Sequence, residues 1–285
     1  MADERIRALA YDDNVRIVAA VSTTVVGDAM RIHDAGPTGA AALGRLLTAT
    51  ALLAATNKGA ERLTLQVQGG GPLGLLLART AGEGEVYGTV GRPRAHVFPR
   101  PDGKLDVGRG VGTDGQLMVV KDLGFGEPYI GTVPLVSGEI GDDVAEYLAR
   151  SEQTLSAIGV GVRLSPQATC LGAGGFLVQI LGGCDEEAFD AIEARIAELR
   201  ELSRDIEHGA SARDLVAMLA GGTERVLEST PLAYRCPLDR AYYAGRLRSL
   251  GREALAEAFG AQPDIEVVCE FSRVAHTFTR EELDA

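Results

Sequence analysis

The sequence is poor in the features that mark several large classes of protein. It has no apolar run approaching the roughly twenty residues that cross a bilayer, so a membrane-spanning protein is not expected. It is short of positive charge: 28 lysines and arginines against 40 acids leave a net charge of −12. Phosphate neutralisation supplies most non-specific nucleic-acid affinity, so a nucleic-acid partner is not expected either. Only four cysteines occur, with no even framework and no C-x-x-C pair. That fits a reducing compartment and argues against a thiol oxidoreductase. Ser137-Gly138 lacks the flanking glycine of a G-x-S-x-G elbow, which disfavours a hydrolase nucleophile. The opening residues, Met1 to Arg7, lack the apolar core of a secretory signal, and a cytoplasmic location is expected.

What is present reads as an ordinary globular chain. A hydrophobic share of 46% over 285 residues suggests more than one compact core, and two domains are the starting expectation. Asn14 to Ser22 is rich in β-branched residues and reads as a buried strand. Gly36-Pro-Thr38 opens a long apolar helix ending at Lys58-Gly59, with an inner stripe of Leu43, Leu46, Leu47, Leu53 and Ala54. Leu63, Leu65 and Val67 alternate with polar residues at the period of a strand. Asp102-Gly103 before Lys104–Val107, and Asp114-Gly115 before Leu117–Val120, mark hairpin turns. Tyr129–Val136 is a further strand, and its Pro134 predicts an edge or a bulge. Ser137 is placed to cap a helix carrying Ile140, Val144, Tyr147 and Leu148. Residues 157–164 and 169–181 close the first domain as a strand pair.

Three patterns invite chemistry. Gly69-Gly-Gly71-Pro-Leu-Gly74 spells G-x-G-x-x-G after a strand, and a nucleotide-binding enzyme using Gly69, Gly71 and Gly74 is the alternative function. That reading needs a helix to follow, whereas Leu75–Ala78 and Val86–Val90 read as a hairpin, so a plain glycine turn is favoured. Asp142 and Asp143 resemble an acid/base couple, but acids near a helix start are the commoner case. Cys170 lies in an apolar run as a buried thiol, and Cys184 sits beside acids that raise a thiol pKa. After Cys184 comes a charged helix with Phe189, Ile192, Ile196, Leu199 and Ile206 at three- and four-residue spacings. A second short helix begins at Ser211-Ala-Arg-Asp214.

The last fifty residues hold Cys236 and Cys269 at the mouths of two turns, with a helical run and Leu250-Gly251 between them. This layout resembles the C-terminal module of the heat shock protein 33 family, the 33 kDa chaperonins. The likeness continues through Ala42-Leu-Gly-Arg45, Gly69–Gly74, Gly112-Thr-Asp-Gly115, Val119–Gly124, Ser137–Asp143, Ser151-Glu-Gln153, Gly159–Val162 and Ala173–Gln179. The resemblance implies an ATP-independent holdase that binds unfolding clients, with no catalytic residues. It also implies a mixed α/β domain over 1–183 with a central sheet and packed helices. A metastable helical linker over 184–230 and a small zinc-ribbon-like redox module over 231–285 follow. Clients are the implied partners, and a homodimer is left open.

The family pattern is Cys-x-Cys, a helical spacer, then Cys-x-x-Cys, and its cysteines hold zinc. Here Leu238 and Ser272 occupy two of the four places. A closed zinc site needs a tetrahedral set, so zinc is doubtful and no other cofactor is expected. Three readings stay open for Cys236 and Cys269: a metal held with Asp239 or His276, one disulfide between the two, or a metal-free module. In the last, Leu238, Leu247, Leu250, Leu255, Phe259, Val267, Phe271 and Phe278 form a replacement core. A structural zinc supplies on the order of 10–16 kcal/mol in small peptides. Buried side chains at about 1.5–3 kcal/mol each would have to offset its loss. The oxidative switch is expected to be degenerate.

Overall fold

In the computed structural model, which describes residues 2–56 and 62–284, the chain divides into two compact units, Met1–Arg235 and Cys236–Ala285. The predicted helix end at Lys58-Gly59 lies outside the described residues. The first unit runs β1 (Glu4–Ala10), β2 (Val15–Val21), α1 (Thr23–His33), α2 (Pro37–Ala54), β3 (Arg62–Gln68), β4 (Leu76–Gly82) and β5 (Glu85–Val90). It continues with α3 (Val107–Val111), β6 (Gln116–Asp122), β7 (Tyr129–Pro134), α4 (Gly141–Tyr147), β8 (Ser156–Leu164) and β9 (Cys170–Ile180). Helices α5 (Glu186–Glu198), α6 (Leu202–Glu207) and α7 (Ala212–Ala220) lead to β10 (Arg225–Pro231) and β11 (Ala233–Tyr234). The class is mixed α/β. One sheet is five-stranded in the order β10-β1-β2-β9-β8, and the other is six-stranded in the order β11-β5-β4-β3-β6-β7.

Helix α2 packs against strands of both sheets. Every residue from Thr38 to Leu53 except Arg45 is therefore buried, so there is no single inner stripe. A helix apolar all round is one enclosed all round. Its small residues permit close approach: a Cβ added at Gly44 would lie 2.7 Å from a methyl of Val26. The hydroxyls of Thr48 and Thr50 donate to the carbonyls of Gly44 and Leu46 at 2.8 Å, which satisfies them inside the core. Arg45 leaves the core to pair with Glu139, which also pairs with Arg100 and accepts from the Gly108 N–H at 3.0 Å.

The two sheets are covered differently, and their strands differ accordingly. β3 alternates and buries Leu63, Leu65 and Val67 on one face. β2 is apolar nearly throughout because both its faces are covered. One face meets α2 and the other meets α7, in a second core that α6 completes over β8 and β9. β1 lies beside it and carries the buried Arg5, whose guanidinium donates to the Ala51 carbonyl at 3.1 Å and pairs with Glu228 of β10 at 3.2 Å.

Two local expectations are corrected. Lys104–Val107 is not a strand: Asp106 caps α3 by accepting from the Arg109 N–H at 3.0 Å. Ser137 does not cap α4, which begins at Gly141 after Ile140 at a φ of 71°. The backbone there wraps around a carboxylate. Asp143 is fully buried and accepts from the N–H groups of Val136, Ser137, Gly138 and Ile140 at 2.8, 3.1, 3.3 and 3.0 Å.

The second unit runs α8 (Arg240–Arg248), α9 (Arg252–Phe259), β12 (Asp264–Val268), β13 (Ala275–Thr279) and α10 (Arg280–Asp284), with β12 and β13 an antiparallel pair. Its core is Ala244, Leu255, Phe259, Phe278 and Leu283, with Tyr243, Leu247, Ile265 and Val267 packed against it. Phe271 is buried as well, Leu238 is half-buried, and Leu250 is 57% exposed and outside the core.

Replacing Asp143 by alanine leaves four converging N–H groups without their acceptor. Each charge-assisted bond is worth about 1.5–3 kcal/mol, so Asp143→Ala is expected to cost about 3 kcal/mol or more in urea denaturation. A loss within about 0.5 kcal/mol, the range of ordinary surface changes, would show that the loop holds its shape without the carboxylate.

Candidate functional site

The first candidate is the face of the five-stranded sheet opposite α2. Ile6, Ala8, Ile17, Ala19, Val21, Phe176 and Val178 form a continuous apolar surface there. It is covered by Ile192, Leu199, Leu202, Ile206, Leu215, Val216 and Leu219 from the segment α5–α7. Phe189 and Ile196 of the predicted stripe are only half-buried. Leu202 joins this face as well, three residues after Leu199 and four before Ile206, although a 3-10 turn at Leu199–Glu201 separates α5 from α6. The covering is stapled by local bonds. Asp185 caps α5 through the Ala188 N–H at 2.8 Å, and Ser211 caps α7 through the Asp214 N–H at 3.2 Å. Tyr11 reaches the Leu219 carbonyl at 3.1 Å. Glycines flank the segment at both ends, with Gly182 and Gly183 at φ 121° and 72° and Gly221 and Gly222 at 61° and 87°. At positive φ these are positions where other residues are strained.

The glycine turn at Gly69–Gly74 has a structural explanation. β4 follows it antiparallel to β3, so no helix N-terminus stands there to receive a phosphate. The turn is closed by backbone: Gly71 N–H donates to the Val111 carbonyl at 2.8 Å, Leu73 N–H to Gly110 at 3.0 Å, and Asp114 N–H to Gly69 at 3.0 Å. A Cβ at Gly69 would lie 2.2 Å from the Gly112 oxygen. These glycines let two backbones touch, and the nucleotide-binding reading is overturned. Asp142 accepts from the Ser137 hydroxyl at 2.7 Å, and Asp143 is the buried acceptor described above. The pair is structural.

The remaining candidates are the thiols. Cys170 is pushed up to about 12 by burial, with Asp3 adding to it. Cys184 is raised by burial and by the neighbouring Asp185. Neither is placed as a nucleophile. In the second unit, by contrast, the sulfurs of Cys236 and Cys269 stand 3.8 Å apart as free thiols. Cys269 opens the turn between β12 and β13, where its N–H donates to the Val274 carbonyl and its carbonyl accepts from Arg273, both at 2.9 Å.

The two thiols are not equivalent. Burial pushes Cys236 up to about 11. Burial would raise Cys269 too, but its pKa is lowered. The hydroxyls of Ser272 and Tyr243 and the N–H groups of Ser272 and Phe271 donate to its sulfur. The Ser272 N–H lies 3.4 Å from it. Donors aimed at a thiolate favour the charged form. Tyr243 is raised in turn, by burial first and then by this bond. Nothing in the sequence pattern pointed to Tyr243, which arrives from α8.

The donors present do not suit a zinc ion. A sulfur separation of 3.8 Å is close to that of two ligands on a tetrahedral metal, but the set stops at two. Asp239 is committed to capping α8 through the Tyr242 N–H at 2.8 Å. The His276 ring lies against Tyr243 and Phe278, and its Nε2 is buried without a hydrogen-bond partner. Among the described residues no three histidine, cysteine or acidic side chains gather as a metal would require.

Three comparisons bear on the whole chain. The family described as Hsp33 protein matches residues 3–279. A 33 kDa chaperonin of Bacillus velezensis is 40% identical over 282 residues, covering 99% of this chain and 97% of its own. A 33 kDa chaperonin of Listeria innocua is 42% identical over 287 residues, covering 100% and 98%. The crystal structure of the 33 kDa chaperonin of Thermotoga maritima, a heat shock protein 33 homolog, superposes with a TM-score of 0.89 at 31% identity. It covers 100% of this chain and 97% of its own.

Removing the Tyr243 hydroxyl withdraws one donor from Cys269. Tyr243→Phe is expected to raise the Cys269 pKa and reduce its thiolate fraction at neutral pH. Ultraviolet thiolate titration, with Cys170 and Cys184 replaced by serine, reads the change. An unmoved titration would show that the Ser272 and Phe271 donors alone hold the thiolate.

Proposed function

The chain belongs to the Hsp33 family and is a molecular chaperone rather than an enzyme, and on that premise we propose that it holds unfolding proteins in solution without ATP. The observation that carries this reading is the second core. A contiguous apolar sheet face is covered only by three short helices, and short helices gain their stability from docking rather than from themselves. Segment 184–230 is then the linker of the resting protein. Parting its helices α5–α7 from the sheet, with the glycines at 182–183 and 221–222 as pivots, uncovers apolar surface on both sides while β10 stays paired with β1. Exposed apolar patches of several hundred square ångströms characterise protein-binding sites.

Unfolding clients are the partners in this reading. Nucleic acid and membrane are not: the charge of −12 opposes polyanions, and among the described residues no helix is long and apolar enough to cross a membrane. The working compartment is the cytoplasm. The C-terminal module, Cys236–Ala285, keeps the outline of a zinc ribbon but folds without the metal. Its hairpin and helices close on Leu255, Phe259 and Phe278. Cys236 and Cys269 remain from a switch that has lost its other two cysteines, so release depends on heat or is constitutive.

The test is light scattering from a heat-denatured client enzyme, with metal content measured on the same preparation. Suppression of aggregation is expected without ATP and to within about twofold the same before and after peroxide, because peroxide has no four-thiolate metal site to dismantle. Zinc is expected well below one ion per chain. Stoichiometric zinc with suppression only after oxidation would sink the metal-free reading. No suppression under any temperature or redox condition would sink the holdase reading.

A further inference from the structure

β7 is the last strand of the six-stranded sheet, and among the described residues no strand pairs with its outer edge. Its register sets Tyr129 opposite Lys121 and Pro134 opposite Gln116, and the Leu135 N–H donates to the Gly115 carbonyl at 3.0 Å. Hydrogen-bonded and non-bonded pairs alternate along an antiparallel ladder. Tyr129, Gly131 and Val133 therefore turn their backbone groups toward β6. Ile130, Thr132 and Pro134 turn theirs outward. Pro134 stands where its missing N–H faces away from the sheet, the position an edge tolerates.

This edge has few of the usual guards. Natural edge strands are blunted by charge, bulges or covering loops. Tyr129–Pro134 carries no charged side chain and shows no register shift against β6. The side chains of Ile130, Thr132 and Pro134 are exposed along it. The hairpin tip adds Phe125 at 76% exposure and Leu123 at 40%, with Tyr129 and Ile130 at 50% and 59%. The opposite edge of the same sheet is closed by β11, which runs parallel to β5.

We propose that the outer edge of β7 takes an extended segment of an unfolding client as an added strand, with Phe125, Tyr129 and Ile130 supplying apolar contact beside it. The inference rests on the holdase reading and names where on the molecule a client's backbone is held. A second copy of this chain is the poorer occupant. Self-pairing about Thr132 sets Pro134 of each copy against Ile130 of the other, and the absent proline N–H leaves each Ile130 carbonyl without a donor. Client segments without proline at that position fill the same carbonyl. Backbone pairing gives affinity without demanding a particular sequence, which suits a protein whose partners are unrelated.

The probe is reduced, carboxymethylated lactalbumin, which cannot refold, added to the full chain. On binding, amide exchange is expected to slow at Ile130 and Thr132, while Gly131 and Val133, already bonded to β6, change little. Thr132→Pro removes an outward donor and places a ring in the path of the added strand. Ile130→Lys puts a charge on the edge. Each is expected to weaken probe binding about tenfold, the scale of one or two net hydrogen bonds, with the melting temperature held. If Thr132→Pro does not fold, Ile130→Lys and the exchange data decide alone. Unchanged affinity in Ile130→Lys together with unslowed amides overturns the inference while leaving the holdase reading intact. So does protection at Ile130 and Thr132 without probe that is lost on dilution, which would assign the edge to a second copy. A wild-type chain that binds no probe and suppresses no aggregation overturns both.

Discussion

The burial of α2 on all sides is the constraint from which the rest of the first unit follows. A helix lacking any charge but Arg45 between Thr38 and Leu53 cannot present a face to water, so it must lie between two apolar surfaces. The two sheets supply one surface each. Their other faces then have unequal needs. In the six-stranded sheet the strands alternate, and Thr64 and Gln66 of β3 look away from the core. In the five-stranded sheet β2 is apolar in both directions, so a second layer is obligatory and α5–α7 provide it. The covering is not an accessory to that sheet. Without it, the sheet would expose Ile6, Ile17 and Phe176 to water.

That second layer is also the weakest part of the first unit on physical grounds. The α2 core is built from long, fully enclosed elements, whereas α5, α6 and α7 are short and broken by a 3-10 turn. Only one side of each contributes to the core, and the opposite side carries acids and arginines. Sub-global opening is drawn from such regions, where the local apolar contacts are few and the backbone is near solvent. The sheet beneath need not unfold when the helices part, because β10 remains paired with β1 and Arg5 remains paired with Glu228. Release of a covering and retention of the platform are thus compatible in one chain.

Much of this arrangement was legible in the residues, and the failures have identifiable causes. The period of β3, the proline-marked edge of β7 and the hairpin after Gly74 were all visible because each depends on neighbours within a few positions. β1 and β10 were not foreseen. Arg5 and Arg7 interrupt the apolar pattern of β1, and their neutralising partner, Glu228, lies on a strand that joins the sheet only after more than two hundred residues. Asp143 does sit in the first turn of α4, as its place near a helix start indicates, but nothing local reveals that four N–H groups converge on it. At the thiols, the pairing of Cys236 with Cys269 could be raised only through the family layout. The donors that set Cys269 apart from Cys236 include Tyr243, which no spacing rule ties to it. Hydrophobicity alone places Leu250 in the core, yet it lies in the exposed turn between α8 and α9 and stays outside.

A chaperone's partners share no sequence, so its surfaces can exploit only what all unfolded chains have in common: apolar side chains and unpaired backbone groups. The two sheets of the first unit answer these separately. The five-stranded sheet holds a wide apolar face under a layer of short helices, and the six-stranded sheet holds an uncharged edge with which no strand among the described residues pairs. Apolar burial is non-directional and tolerates any registry. Ladder hydrogen bonds fix direction and registry, but not identity. Used together on one client, they would restrain its chain without selecting its sequence. The excess of acids keeps both surfaces in solution while they are open, since net charge opposes self-association. An edge strand without charge is tolerable in such a molecule because the repulsion it lacks locally is supplied by the chain as a whole.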